Sequence, residues 1–564
     1  MGVSTRKFFP EEDSELFDPE TGNCSIEYYN ACKDPYRVVG NKKTTPVSWP
    51  WFMYKTSEAA NLLCDQLDES IRIVLSRNKI RLWSMGVYSF APRHTPGDIR
   101  NTILIRTRSE CSISWKEVAS EIYYVIVEPA ATAAGIQMGV EIQDEDEMYM
   151  DASYFIKDDA TIRAISRIQP YVLGAVMAHC PGKWDSIAYH DRKRLRTNSK
   201  KRATAIIFVK VGAIHAWGDL EEKIVSAIQA ATFPEEIDIN VEILPGRISL
   251  SQQSPHIPTL RSPEGPLEYF SLDLLPLIPT NGSSIAPSDC IDAAGTLGPV
   301  VNHRVAGTEE FKKCFLTCYN VIASGDLARK ESNDKLGIGL GGRKVDCEID
   351  IDYPAKYDAN ETRRFYKSIT DKGKESVRGL SIKRLDELAA QGPLGQVRFA
   401  SGYRLTDTNH RMDWALVELD PTRPLQNLLP AEAHFLNSVF RNVPRRFTVQ
   451  KGDTVQVTSN SLDSIWYGKV GRTSDCTGGE HGLIKRAIRW DDGAVSHEYE
   501  FKTQDACDRF AQVGDAGSLV LNIKKEWVGM LFAMERSTGI GFVTPAFELL
   551  RDIEETTGGK IMLA

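Results

Sequence analysis

Four groups of residues in this chain have the type and spacing for chemistry. Gly337–Gly342 (GIGLGG) matches the glycine spacing of a loop that cradles dinucleotide phosphates. No apolar strand precedes it and no helix clearly follows, so a mobile loop is expected instead. Eleven cysteines offer soft metal ligands, but there is no CxxC pair. Cys314 and Cys318 alternate with Phe315 and Leu316 on a strand-like segment, which predicts buried free thiols, no metal and no cofactor. Asp191–Arg202 (DRKRLRTNSKKR) has the charge of a nucleic-acid patch, yet it fits a solvated loop before a strand at Ala205. His303 and His410 are bases by type, and both are expected in surface loops.

Composition narrows the function classes. The chain has 564 residues, 42% hydrophobic and 26% charged, with a net charge of -8. That is enough apolar material for several cores, and it gives no general attraction to nucleic acid or anionic membrane. No apolar run approaches the roughly 18 residues of a membrane helix. The first residues lack a signal-peptide core, and Arg6 stands where the myristoylation pattern beginning at Gly2 wants Ser or Thr. An intracellular, reducing location, cytoplasmic or nuclear, is the expectation.

The elements that must position any site divide the chain at about 70, 150, 250 and 290. Residues 1–70 carry aromatic and proline punctuation and receive no role. Thr102–Ile126 matches Thr204–Ile228 at a constant offset of 102, placing Trp115 on Trp217 and Ile122 on Ile224. Each copy alternates an apolar strand, an amphipathic helix and a second strand, with preceding strands expected at Trp83–Ser89 and Tyr171–Met177. Two α/β modules, 71–150 and 151–250, are predicted. Residues 251–290 are rich in Pro, Ser and Gly and fit a linker. Beyond it, short strand-like segments take over, among them Gly295–Val301, Cys314–Ile322, Trp414–Leu419, Thr454–Thr458, Leu519–Ile523 and Trp527–Ala533. Their spacing predicts an antiparallel barrel or sandwich over 291–564, interrupted by a charged helical insertion at 360–391.

Four stretches in that half occur in a telling order. They are GTLGPVV (Gly295–Val301), FLTCYNVI (Phe315–Ile322), MDWALVEL (Met412–Leu419) and VGDAGSLVLNIKKEWVGMLFAMERSTGIGFVTP (Val513–Pro545). Together they resemble a trypsin-like serine protease domain of the intracellular, disulfide-free type. The resemblance implies a chymotrypsin-type double β-barrel and a polypeptide partner or substrate in the cleft between barrels. It places the catalytic aspartate at Asp413, the histidine position at Asn320 and the nucleophile position at Ala516. Gly514 and Ala516 would supply the oxyanion-hole N–H groups, and Phe510 would floor the specificity pocket.

Alanine has no nucleophile and asparagine exchanges no proton near neutral pH, so two of three triad roles are vacant. Cys507 stands too far along the loop to substitute, and Ser518, where such proteases commonly have serine too, is expected to be structural. Three functions remain open at this point: a protease homologue without catalysis, serving as a binding or regulatory module; an endopeptidase disabled by a Ser→Ala change at Ala516; or an activity residing in the α/β modules. No nucleic-acid or membrane partner is expected.

Overall fold

The computed structural model describes residues 6–10, 14–108, 115–195, 197, 199–231, 237–250, 275–305, 307–343, 345, 348–368, 375–430, 452–504 and 508–564. Two compact units emerge. The first contains residues 1–247, 486–494 and 536–538, and the second contains the rest.

In the first unit, β1 (Trp51–Tyr54), α1 (Glu58–Arg77), β2 (Leu82–Pro92), β3 (Arg100–Thr107), α2 (Trp115–Glu121) and β4 (Gly139–Gln143) follow one another. A π-helical turn at Ile122–Val127 and a further turn, Glu128–Ala133, prolong α2. The same order recurs in β5 (Asp151–Tyr154), α3 (Asp159–His179), β6 (Trp184–Arg194), β7 (Arg202–Lys210), α4 (Trp217–Ala230) and β8 (Asn240–Gly246).

The pairing recurs as well. β1, β2 and β3 are antiparallel neighbours and β4 joins β3 in parallel, as β8 joins β7. Met85 faces Ile105 where Ile187 faces Ile207, and a bulge interrupts Leu82–Ser84 where another interrupts Trp184–Ser186. Both long leading helices are capped by side chains that accept from N3: Ser57 from the N–H of Ala60 and Asp158 from that of Thr161. Trp115 and Trp217 each open the second helix of their segment and are fully buried.

Three sequence expectations change here. Tyr171–Met177 is not a strand but the last turns of α3. Ile165, Ile168, Val172 and Val176 are buried at three- and four-residue steps, while Tyr171 and Met177 are half exposed, which is helical periodicity. The division at residue 70 also fails, because β1 and α1 pair and pack with the first module. The basic run begins in a strand and not in a loop: Asp191–Arg194 ends β6, and Arg192 is buried against Glu242 at 3.0 Å.

The second unit is mostly antiparallel β. Its first strands are β9 (Ser284–Pro287), β10 (Gly295–Thr296), β11 (Val300–Arg304), β12 (Phe311–Thr317), β13 (Asp350–Asp352), β14 (Gly395–Ala400) and β15 (Ala415–Leu419). The ladder runs β10-β9-β13-β14-β15-β12-β11. Since β10 and β11 are two parts of one stretch, Gly295–Arg304, this sheet closes on itself.

A second ring follows, from β16 (Tyr467–Gly471) and β17 (Asp475–His481). The chain then spends β18 (Arg486–Arg489) in the first unit, where Ala487 and Ile488 pair with Ile187 and Ser186 of β6. It returns as β19 (Val495–Lys502), β20 (Leu519–Asn522), β21 (Trp527–Glu535) and β22 (Gly541–Pro545). The circuit β16-β17-β19-β22-β21-β20-β16 is complete. Closure leaves no edge, and alternation sends Tyr467, Phe501, Val520, Leu531 and Val543 inward, where Phe510 from a loop joins them as the core.

The C-terminal helix Ala546–Thr557 and a last strand, β23 (Lys560–Leu563), return to β11. The charged insertion is two helices, Lys356–Ser368 and Glu375–Ala389, joined by Arg363–Asp386 at 2.9 Å. Two boundaries shift. Ser284–Pro287 is strand and not linker, while 251–274 and Cys507 lie outside the described residues. Thr454–Thr458 makes only isolated bridges, Thr454 to Leu428 and Thr458 to Trp527.

Candidate active site

Asp413 immediately precedes Trp414 and β15 and is buried. Asn320 lies on the single helical turn Tyr319–Ile322 that follows β12, not on the strand the sequence suggested. β12 and β15 pair from Cys314–Glu418 to Thr317–Ala415, and this register brings the two residues together. The Asn320 backbone N–H donates to Asp413 Oδ1 at 2.7 Å, and Asn320 Nδ2 donates to Oδ2. Nδ2 also meets the Phe532 carbonyl at 3.3 Å, which ties the pair to β21.

Both carboxylate oxygens are thus engaged by one residue, and neither Asn320 nor Asp413 is more than 2% exposed. Complete burial pushes the Asp413 carboxyl up to about 6, against the opposing pull of the Asn320 hydrogen bonds and the Arg411 charge. Asn320 Oδ1 is buried without a hydrogen-bond partner. The amide fits its site as a donor only.

The loop that contains Ala516 is built around three neighbours. Thr296 of β10 donates its N–H to the Ala516 carbonyl at 2.8 Å and its hydroxyl to the Gly514 carbonyl at 2.9 Å. Thr317 Oγ1 donates to the Thr296 carbonyl at 2.9 Å, so the end of β12 reaches the same point. Gly517 N–H meets the Leu531 carbonyl at 2.9 Å, and Cys318 Sγ meets the same oxygen at 3.3 Å.

Gly514 has φ 101° and Gly517 φ 94°, a region that favours glycine. A Cβ on Gly514 would also fall 2.1 Å from Thr473 Oγ1. Among the described residues, no acceptor meets the N–H of Gly514 or of Ala516.

Asp515 turns away from the loop into the second ring. It accepts from Lys469 Nζ at 3.0 Å, Ser474 Oγ at 2.6 Å and the N–H groups of Thr473 and Gln512. Burial alone would raise its carboxyl, but the Lys469 charge and the Ser474 and Gln512 bonds outweigh that and hold it below its ordinary value. On the other side of the loop, Arg472 packs beside Gly514 and forks onto Asp358 of the inserted helix, which also accepts from Ser284.

Phe510, Ala516 and Asn320 are all fully buried. Phe510 fills the interior of the second ring, and its carbonyl accepts from Thr477 Oγ1 at 2.7 Å. Position 516 presents a methyl group, and among the described residues no imidazole bonds Asp413. The unengaged N–H groups of Gly514 and Ala516 are of the kind that stabilise negative charge.

The histidines take unexpected positions. His303 lies on β11, 2% exposed, with Nε2 3.2 Å from Thr557 Oγ1, because both edges of β11 are paired. His410 is fully buried, stacked on Tyr499 at 5.0 Å. Its Nδ1 lies 3.2 Å from Glu498 Oε2, and its Nε2 lies 2.7 Å from Lys485 Nζ and 3.5 Å from Glu548 Oε2. Among the described residues no hydroxyl or thiol bonds this imidazole, and its buried position is one that sequence reading missed. The only available signal was its position five residues before an apolar strand. Ile338 of the GIGLGG stretch bridges Ala400 in both directions and holds that loop to β14.

No family model matches the chain, and neither does any curated protein. Among solved structures, Thermobifida fusca Protease A is similar at 14% identity, covering 50% of this chain and 98% of that one, with a TM-score of 0.28. A Nocardiopsis protease follows at 12% identity, 50% and 97% coverage and a TM-score of 0.26. A Cellulomonas bogoriensis chymotrypsin gives 13% identity, 50% and 98% coverage and a TM-score of 0.26. These neighbours are chymotrypsin-like serine proteases.

Proposed function

We propose that the second unit is a protease-type pair of β-rings without catalysis, acting as a binding or regulatory module for a polypeptide. One observation carries this reading. Asp413, the residue that would orient a catalytic imidazole, has both oxygens bonded to Asn320, and the residue at the expected nucleophile position is Ala516. Neither residue supplies a base or a nucleophile, and triad members act as a unit, so the loss of two forfeits nearly all acceleration. An oxyanion hole and binding alone leave roughly 10³ to 10⁴ over water, too little to detect on a peptide bond. The inserted helices, whose Asp358 reaches Arg472 beside Gly514, give the module a surface away from the loop.

Incubation of the purified protein with a quenched fluorescent peptide library tests the proposal. No cleavage is expected for the chain as written. Turnover that survives affinity repurification and disappears with Asp413→Ala would overturn it and restore the peptidase reading.

A further inference from the structure

Residues 486–494 add a hairpin to one module of the first unit and leave the matching place on the other module open. On β6, Ser186 and Ile187 pair with Ile488 and Ala487 of β18, in line with β5, which pairs farther along at Asp191–Arg194. The counterparts on β2 at the common register are Ser84 and Met85, in line with β1, which pairs at Ser89–Pro92. Among the described residues, no strand pairs with that side of β2 between Leu82 and Tyr88. Leu82–Tyr88 are all partly or fully exposed, with Trp83 at 59%, whereas the β6 counterparts are buried apart from Asp185.

The side chains facing the two places differ in charge. Arg486 of the hairpin lies over the Phe208 ring, 4.7 Å from its centroid. The residue at the Phe208 position of the other module is Arg106. Arg106 donates from Nε to Glu145 at 2.5 Å and from Nη1 to Tyr88 OH at 2.8 Å, while Nη2 has no acceptor among the described residues. A strand laid on β2 as β18 is laid on β6 would bring its Arg486-equivalent side chain beside that free N–H. A cation there is repelled, and a carboxylate is received with a charge-assisted bond.

We propose that the free edge of β2 at Ser84–Met85 binds an extended strand of another polypeptide, by β-augmentation. The strand carries an acidic side chain toward Arg106, and its next alternate side chain faces Ser84. The main chain supplies affinity and the Arg106 contact supplies selection. This site lies in the first unit and is independent of any catalysis in the second.

The probe is a synthetic fluorescein-labelled peptide of residues 484–496 bearing Arg486→Glu, titrated into the full-length protein by fluorescence anisotropy. It should bind at least tenfold more tightly than the peptide with Arg486 retained. The protein variant Arg106→Glu should reverse that order, and the reversal also shows that the variant is folded. Arg106→Gln should bind both peptides equally. Binding of neither peptide to either protein, or an unchanged order with Arg106→Glu, overturns the proposal. Concentration-dependent self-association abolished by Trp83→Lys would assign the edge to a second copy of the chain and overturn the stated occupant.

Discussion

Asp413 holds a charge that the fold has to carry without water. Its carboxyl moves from an ordinary 3.8 to about 6, so the folded state binds a proton that the unfolded state has already released. Between those values stability falls as pH rises, by about 3 kcal/mol for this group alone. Asp515 has the opposite sign, since its depressed carboxyl contributes stability at neutral pH that is lost in acid. Asp413→Asn should therefore gain in unfolding free energy relative to the parent between pH 4 and pH 7, read from urea titrations at each pH. A difference that stays flat across that range would show that burial does not load this site. The pairing of Asn320 with Asp413 joins two short motifs that the sequence shows, FLTCYNVI and MDWALVEL. The donor-only environment of Asn320 was not legible there, since Phe532 is 212 residues away and meets it only in the closed sheet. His410 was misplaced for the same reason: Glu498 and Lys485, which accommodate it, come from distant parts of the second ring.

At the scale of elements, the matching segments of the first unit share order, register and bulge position, and each closes its core with a buried tryptophan. Trp115→Ala and Trp217→Ala should each cost about 3–5 kcal/mol by chemical denaturation, as large-to-small changes in a packed core do. A cost below about 1 kcal/mol at either position would mean that the tryptophan is not a core element there. The offset of 102 was visible because the second helix and its flanking strands retain similar residues. The leading helix α3 was hidden because Pro170 and the run Tyr171–Met177 mimic the boundary and composition of a buried strand. In the second unit, the inserted helix is fixed by the buried Asp358–Arg472 pair. Asp358→Ala leaves the Arg472 cation buried and alone, and should destabilise by about 3–5 kcal/mol, whereas Asp358→Leu with Arg472→Met should cost much less. A double variant as weak as the single would show that the pair matters through shape and not charge.

The chain as a whole is not a string of separate modules, because residues 486–494 and 536–538 of its second half complete the first unit. No helix among the described residues is long and apolar enough to cross a membrane. A fragment ending at Arg247 would leave the edge of β6 at Ser186 and Ile187 without its β18 partner. Its Tm should rise when a peptide of residues 484–496 is added, since a ligand that binds only the folded state stabilises it. An unchanged Tm would place the hairpin outside the folding unit.

The central claim, that this fold has lost its chemistry at two positions and not one, is most directly tested on the Ala516→Ser variant with a fluorophosphonate probe. The account predicts no labelling, because Asp413 holds Asn320 and not an imidazole that could take the serine's proton, and labelling only once Asn320→His is added. Strong labelling of the Ala516→Ser single variant would contradict it, and would mean that another base serves this site and that Ala516 alone silences an otherwise complete peptidase.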